Sequence, residues 1–331
     1  MDNAILTHCL KLAKQTITIA LYSMVCSITR CSVASKMSYK SFLRGFLAFF
    51  LCLQLQQGYT QDTLAHEART NRRWLYTAAG TYTVGMGVLS VMWYRNMMSP
   101  NFHTFNDNNQ WCGLDKLGHA FTTYQIADAI FPRLATGPYS RSKQIFLSAS
   151  VAALAMLPIE VLDGFSKNYG ASTGDALANT TGAILWAAQQ LTSCQKYIHY
   201  KYSYWPTQWA AQRPNVLGAS QAERWLKDYN GQTYWLSFDM YRFGHRKFLG
   251  LKFINLALGY GADQMLYGSP QENTAAGFLH QKQWYIGLDW NLSHIKTERR
   301  ALKWLIKASE VIKLPMPALR WQGQNTTLVF L

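Results

Sequence analysis

Acidic residues are scarce in this chain, which has only 17 Asp and Glu among its 331 residues. Its 32 Lys and Arg give a formal net charge of +15, although charged residues make up only 15% of the sequence. Nucleic-acid-binding domains are usually basic because Lys and Arg are abundant and clustered, whereas here the basic residues are scattered. We therefore expect no nucleic-acid partner, and an anionic membrane surface fits this charge balance better.

Cysteine is also sparse, and the few residues present do not form a recognised pattern. Four of the six cysteines lie within the first 52 residues, and no two are spaced as C-x-x-C. That absence argues against the common zinc sites and thioredoxin-like redox sites. The sequence also lacks the G-K-[ST] end of a phosphate-binding loop and the H-E-x-x-H motif of metalloproteases.

Apolar and aromatic residues are plentiful by contrast. Hydrophobic residues make up 49% of the chain, and it contains 12 Trp and 19 Tyr. Amphipathic aromatic rings are enriched at membrane interfaces, so the composition favours a protein that meets a membrane. The alternative is a basic soluble protein with a large core.

Residues 37–60 resemble a secretory signal peptide. Lys40 and Arg44 form a basic start, residues 46–55 are almost wholly apolar, and cleavage is predicted after Thr60. Residues 1–36 would then be an upstream extension from a misplaced start codon. The alternative is a first membrane segment around residues 17–26.

A helical core is predicted over residues 61–195. Residues 74–95 are the best transmembrane candidate, since they carry no charge before Arg95 and are long enough to cross a bilayer. Residues 144–165 form a second apolar run, in which Pro158 predicts a kink. With two further helical segments, this region predicts a bundle of about four helices, embedded in or associated with a membrane.

Residues 196–331 are aromatic and basic, and they predict a smaller C-terminal region with some β-strand. Residues 283–295 alternate in polarity with a period of two, and residues 319–331 are a second candidate strand. Glycines 259, 261 and 268 predict turns or a close backbone approach. The fold class is therefore mainly α.

Three helical segments of the core each carry polar residues at a spacing of three or four, which places them on one helix face. The set comprises Asp115, Lys116, His119, Glu160, Asp163, Asp175 and Asn179. If the faces converge, the group could hold a divalent metal or act as an acid and a base, with His119, Glu160 and Asp163 as the catalytic candidates. Lys116 could pair with a carboxylate or with a lipid phosphate.

A purely structural interpretation explains many of the same residues. Ser172 is a good N-cap, and Asp175 three residues later completes a variant of the capping box. Asp163 with Gly164 is a turn signal, and Asp115 can cap its own helix. In this interpretation no site exists.

The order D-K-x-x-H, E-x-x-D-G and G-D-x-x-A-N-x-x-G resembles the YfiM-like family of bacterial envelope proteins, a domain of unknown function. The likeness runs from about residue 62 to near the C-terminus, and it is remotely similar to VanZ-like membrane proteins. The resemblance implies export, an α-helical core and a shared polar set at the seven positions named above. Members of that family are often predicted lipoproteins, whereas Cys52 lacks the small residues of a lipobox.

We therefore expect a protein of the bacterial cell envelope, on the membrane or periplasmic side, whose polar cluster binds a lipid headgroup or a metal. One alternative is a non-catalytic scaffold whose aromatic C-terminal region docks to membrane or partners. A further alternative is a hydrolase or transferase acting on envelope lipid or glycan. Membrane lipid is the expected partner, and the residues identify no protein partner and no cofactor beyond a divalent metal.

Overall fold

The structure is a computed structural model that describes residues 65–94, 97–135, 139–192, 197–244 and 249–331. The predicted upstream extension, signal peptide and first membrane segment lie outside the described residues. The chain divides into two compact units. The first contains the described residues up to Phe105 together with Leu162–Ala171, and the second contains Asn106–Val161 and Ser172–Leu331.

The first unit is built around one long helix, α1 (Ala65–Tyr94). At its end the Tyr94 hydroxyl donates a hydrogen bond of 2.9 Å to Oδ1 of Asp163. Phe102 packs edge-on against Phe165, with ring centroids 5.3 Å apart. These contacts tie the end of α1 and the chain that follows it to the segment Leu162–Ala171.

The second unit contains three long helical elements and a sheet. The helices are α2 (Leu114–Leu134), α3 (Arg141–Gly164, of which the part up to Val161 belongs here) and α4 (Thr173–Thr192). Helices α2 and α4 pack closely, because a Cβ atom on Gly182 would lie only 2.1 Å from the backbone oxygen of Ala120. Glycine therefore sets the distance between the two helices that carry most of the predicted polar set.

Among the described helices, only α3 is long and apolar enough to cross a membrane. The core helix of a soluble protein has the same length and composition, so the membrane-embedded bundle stays a prediction. The described part of this segment, residues 74–94, falls within α1, which does not reach that apolarity. The preference for this segment as the transmembrane candidate is therefore not supported. Pro158 lies inside α3, and the helix continues through it.

The C-terminal part of the second unit is a six-stranded sheet whose neighbouring strands are all antiparallel and follow the order of the chain. The strands are β1 (Ile198–Tyr204), β2 (Gln232–Phe238), β3 (Ile254–Asp263), β4 (Gln281–Trp290), β5 (Pro317–Gln322) and β6 (Asn325–Phe330). Short helices connect them: α5 (Trp209–Gln212), α6 (Pro214–Leu217), α7 (Gln221–Lys227), α8 (Met240–Phe243), α9 (Pro270–Ala275) and α10 (Arg300–Val311). Among the described residues, 3-10 turns lie at Gln110–Gly113, Leu249–Leu251 and Leu292–His294.

This sheet is larger than the sequence predicts. The strand predicted over 283–295 is present as β4, but residues 319–331 form the hairpin β5–β6 rather than one strand. Gly259 and Gly261 lie inside β3 and not in turns. The expected close approach is present at Gly259, where a Cβ atom would lie 2.6 Å from the indole of Trp235.

A left-handed turn leads into α2. Trp111 and Cys112 have φ of 49° and 53°, and Gly113 has φ of 77°. Such a conformation costs a non-glycine residue about 1–3 kcal/mol, so the surrounding structure must hold it. The Trp111 N–H donates to the Gly268 oxygen at 3.0 Å, and the Tyr260 hydroxyl donates to the Cys112 oxygen at 2.8 Å.

The hydrophobic core of the second unit lies between α2, α4 and the sheet. Its largest fully buried member is Trp186 of α4, and it includes Leu114, Tyr200 and Tyr234. Gly118 allows α2 to approach the sheet, since its Cβ would lie 2.9 Å from the Tyr234 hydroxyl oxygen. The N-terminal half of α2 is thus fixed from two sides, by α4 and by β2.

Candidate functional site

The first turns of α2 present Asp115, Lys116 and His119 to the start of α4. The Lys116 ammonium lies 2.6 Å from Oδ1 of Asp175, 3.1 Å from Oδ2 of Asp115 and 2.6 Å from Oδ1 of Asp107. Hydrogen bonds to a charged group are stronger than neutral ones. One lysine therefore joins two helices and the loop before α2.

Ser172 fixes the start of α4, as the sequence predicts. Its hydroxyl oxygen accepts from the N–H groups of Gly174 and Asp175 at 3.1 and 3.3 Å, and the hydroxyl donates to Asp107 at 2.6 Å. The capping interpretation is therefore right for Ser172. It does not account for the Asp175 side chain, whose Oδ1 faces Lys116.

The His119 ring lies at the centre of the group, and its two nitrogens face different partners. Nδ1 lies 3.2 Å from Oδ1 of Asn179 and 3.5 Å from Oε1 of Glu160. Nε2 lies 3.8 Å from Oδ1 of Asp115 and 3.7 Å from Oδ1 of Asp175. When Nδ1 carries the proton and donates to Asn179 or Glu160, the Nε2 lone pair faces two carboxylates.

Glu160 is buried near the C-terminal end of α3. Its Oε2 accepts from the Ser172 N–H at 3.4 Å, and its Oε1 lies 3.5 Å from the amide nitrogen of Asn179. An acid within an apolar helix is costly unless it has partners. Here those partners are His119 and the start of α4.

Asp115, His119 and Asp175 each offer a ligand atom, and the three atoms lie within 4.8 Å of one another. Two ligands of a tetrahedral centre with bonds of about 2.1 Å are roughly 3.4 Å apart. The two distances from His119 Nε2 exceed that value by a few tenths of an ångström, which small side-chain rotations can close. A histidine nitrogen with two carboxylate oxygens is a donor set for Zn²⁺ or Mn²⁺.

The acids of the group differ in the direction of their pKa shifts. Burial raises the pKa of Asp115, but the charges on His119 and Lys116 outweigh it and hold that pKa below its usual value. Burial and the neighbouring Asp115 raise the pKa of Asp175 to about 7. Burial also raises the pKa of Glu160.

For the two basic groups, burial lowers the pKa and the neighbouring carboxylates raise it. Burial lowers the pKa of His119, but the nearby carboxylates of Asp115, Asp175 and Glu160 outweigh it and raise the pKa above its usual value. Burial likewise opposes the charge on Lys116, and the carboxylates of Asp115, Asp107 and Asp175 together outweigh it, so the pKa of Lys116 is raised as well. Lys116 therefore remains an ammonium at neutral pH.

The structure brings together six of the seven predicted residues, and Asp163 is the exception. Asp163 belongs to the first unit, where its carboxylate accepts from the Tyr94 hydroxyl. Helix α3 passes from one unit to the other just after Glu160. The grouping of Asp163 with Glu160 therefore stays a prediction, and the six residues of the second unit form the candidate site.

Three further residues contact the group, although the sequence does not single them out. Asp107 pairs with Lys116, Tyr229 donates to Oδ1 of Asp115 at 2.9 Å, and the Thr123 hydroxyl lies 3.1 Å from Oδ1 of Asn179. Thr123 is four residues after His119 and so lies on the same helix face, which is a signal that the sequence contains. Asp107 stands in a polar loop, and Tyr229 comes from a distant segment, so their spacing offers no such signal.

Residues 170–174 read Gly-Ala-Ser-Thr-Gly and match the G-x-S-x-G pattern of serine hydrolases. In those enzymes the serine stands on a strained turn between a strand and a helix. Ser172 is not among the described residues with positive φ, and its hydroxyl is engaged in capping α4. The pattern is therefore met by a helix start, and we do not assign a nucleophile to it.

Buried acids around a histidine and a lysine, set where three helices meet, are typical of a binding or catalytic centre. Residues 103–190 match a family described as predicted periplasmic lipoprotein (DUF2279). The match covers all six clustered residues of the predicted set but only roughly a quarter of the chain. No curated protein and no solved structure matches the chain.

This match confirms the expected localisation in the bacterial cell envelope, on the membrane or periplasmic side. It supports an envelope family of unknown function and not the narrower YfiM-like or VanZ-like resemblance. The family is described as a lipoprotein, which agrees with an association with membrane lipid. The matched residues do not include Cys52, so the match does not bear on its lipidation.

Proposed function

We propose that this envelope protein binds one divalent metal ion through Asp115, His119 and Asp175. The observation that carries the proposal is the convergence of their three ligand atoms within 4.8 Å. Glu160 and Asn179 support it, because both lie beside Nδ1 of the histidine. A metal-bound histidine usually donates its other ring N–H to a carboxylate or a carbonyl oxygen, which fixes its orientation.

The charge balance of the group favours a cation over a phosphate. Four acids, namely Asp107, Asp115, Glu160 and Asp175, surround Lys116 and His119. An anionic lipid headgroup would have to enter against this excess of carboxylates. We therefore prefer the metal to the lipid phosphate among the two ligands that the sequence suggests.

The Lys116 ammonium competes with that metal for the carboxylate oxygens. Its ammonium contacts oxygens of both Asp115 and Asp175, which are two of the three proposed ligands. Its third partner, Asp107, gives it a place to remain when a metal takes the other two. Lys116 thus holds the acids together without a metal and gives way when one binds.

A metal held in this way would polarise a phosphoryl or carbonyl oxygen. That chemistry is what the hydrolase or transferase alternative requires. Glu160, whose pKa burial raises, stands on the opposite side of His119 from the proposed ligands.

The test is metal binding by the purified, demetallated full chain. Isothermal titration with Zn²⁺ and Mn²⁺ is expected to give one site, and His119→Ala is expected to weaken it at least tenfold. His294→Ala is the matched control, because His294 pairs with Asp239 at 2.8 Å but is not part of a three-residue metal-ligating group. Absence of binding by the wild type, or equal binding by His119→Ala, would refute the proposal.

The scaffold alternative has its own supporting observation, which is the contact of Lys116 with three carboxylates. If the group is only structural, Lys116→Ala lowers the melting temperature while the wild type binds no metal. Measuring both quantities on the same preparations separates the two functions.

A further inference from the structure

The face of the sheet that packs on α2 through Tyr200 and Tyr234 continues beyond that contact as a row of exposed aliphatic side chains. The strand register aligns Leu236, Leu258, Ile286, Leu319 and Leu328 side by side across β2 to β6. Each of the five is between 37% and 65% exposed. A second row beside it contains Leu256, Leu288 and Phe330, which are also exposed.

The opposite face of the same strands is buried and mixed in polarity, with an apolar cluster of Trp235, Ala257, Tyr285 and Ala318 beside a group of polar side chains. The Lys201 ammonium lies 2.5 Å from Oδ2 of Asp289, and Ser237 donates to the same oxygen at 2.6 Å. Asn255 donates to Ser237 at 2.9 Å. All four side chains are buried.

The exposed apolar rows differ from the solvated face of a water-soluble sheet. An antiparallel sheet with one solvated face places its apolar residues inside and its polar residues outside. In β4 the exposed positions are Lys282, Trp284, Ile286, Leu288 and Trp290, and the residues between them are buried. Apolar-out and polar-in alternation is the pattern of strands whose outer face contacts lipid.

Along β4, an exposed tryptophan flanks the two aliphatic rows on each side. Trp284 is 59% exposed at one end of β4 and Trp290 is 41% exposed at the other. At about 3.3 Å per residue the two are roughly 20 Å apart, close to the apolar band of about 25 Å of membrane-facing strands. Indole rings prefer the interface between hydrocarbon and headgroups, because one end is apolar and the other is polar.

A basic helix lies next to the Trp290 end of the sheet. Helix α10 packs against β1 and against the 3-10 turn Leu292–His294, which follows β4 directly. Residues 296–307 contain five Lys or Arg and one acid, and Trp304 is 79% exposed. Anionic headgroups attract such a segment.

We propose that the exposed part of this face of β2–β6 is a lipid-contacting surface, with its aliphatic rows against acyl chains and α10 at the headgroups of anionic lipid. The exposed apolar face of the sheet and the charge of α10 carry this inference together. It is independent of the metal proposal, since none of these residues belongs to the Asp/His group.

The first experiment locates the contact. The detergent-purified full chain is reconstituted into vesicles of phosphatidylcholine and phosphatidylglycerol that contain a lipid with a photoreactive group on its acyl chain. After illumination, mass spectrometry is expected to find adducts on the outward residues of β3 and β4, such as Leu258 and Ile286. Adducts on α3 with none on the sheet would overturn the proposal.

The second experiment measures binding. In vesicle flotation, the double variant Leu258→Asn with Ile286→Asn is expected to partition at least tenfold less than the wild type. Leu226→Asn is the matched control, because Leu226 is exposed on α7 outside the sheet. Circular dichroism of each variant checks that it is folded.

The same variants test a second copy of the chain as the occupant. If light scattering shows a wild-type dimer that the double variant converts to monomer, while flotation is unchanged, the face is a protein interface and the lipid proposal is wrong. The charge of α10 is tested by Lys303→Gln with Lys307→Gln, which is expected to reduce flotation on anionic vesicles and not on pure phosphatidylcholine. Equal flotation of this variant on both would refute the role of α10.

Discussion

Replacing Lys116 by Met is expected to tighten metal binding. The Lys116 ammonium lies 2.6 Å from Oδ1 of Asp175, so a metal about 2.1 Å from that oxygen would stand close to a like charge. At a separation of about 4.7 Å, the repulsion between a dication and an ammonium is roughly 2 kcal/mol in a water-like dielectric and about 7 kcal/mol in a protein-like one. Because the Lys116 ammonium can move toward Asp107 and away from the metal, we use the lower value of the repulsion energy.

A gain of about 2 kcal/mol corresponds to roughly a 30-fold lower dissociation constant. Isothermal titration with Mn²⁺ at pH 7.5 measures it directly. Lys116→Arg keeps the charge and is expected to show no gain. Lys143→Met removes an exposed charge near the start of α3, about 25 Å along the helix from Glu160, where salt screens the field.

The outcome that contradicts this reasoning is a Lys116→Met protein that is folded but binds Mn²⁺ no better than the wild type. Such a result would mean that the ammonium and the metal do not share the same oxygens. An equal gain in Lys143→Met would attribute the effect to overall charge rather than to this contact.

Three further predictions concern the same two units. Gly182→Ala is expected to lower the free energy of unfolding by about 1–3 kcal/mol in urea titrations, because the new methyl group meets the backbone of Ala120; unchanged stability would refute the close helix contact. Metal affinity is expected to fall at least tenfold per pH unit below pH 7, because Asp175, whose pKa burial raises to about 7, and His119, whose pKa the nearby carboxylates raise, must each lose a proton to bind a cation. A flat titration profile from pH 5.5 to 8 would contradict their role as ligands. Asp163→Asn is expected to lower the melting temperature as Tyr94→Phe does, since both weaken one hydrogen bond, and to leave metal affinity unchanged; a loss of affinity would return Asp163 to the site.

The helical part of the fold and most of the site could be predicted from sequence, because their signals are local. Asp115, Lys116 and His119 fall within one helical turn, and Asp175 follows a capping serine. Polar residues at helical spacing within apolar segments are uncommon, so the sequence alone draws attention to them. The contact of Tyr229 with Asp115 joins residues 114 positions apart, and no spacing rule reaches that far.

The sheet is harder to predict, because its exposed face is apolar and its buried face contains polar side chains. Residues 198–204 of β1 contain only one aliphatic side chain, and the buried Lys201 looks like a surface residue in the sequence. In β3 the glycines at 259 and 261 resemble turn residues, although Gly259 is needed to accommodate Trp235. Only β4, with its outward Trp, Ile and Leu, shows the alternation clearly.

The left-handed turn at Trp111 and Cys112 also has a mechanical meaning. It is fastened to the sheet side of the unit through Tyr260 and Gly268, and three residues later the chain reaches Asp115. A displacement of β3 therefore pulls on the backbone that positions the first proposed ligand, with only one short strained segment to absorb it. The sheet therefore helps to fix the position of Asp115, and a shift of β3 is expected to change the distances within the Asp/His group.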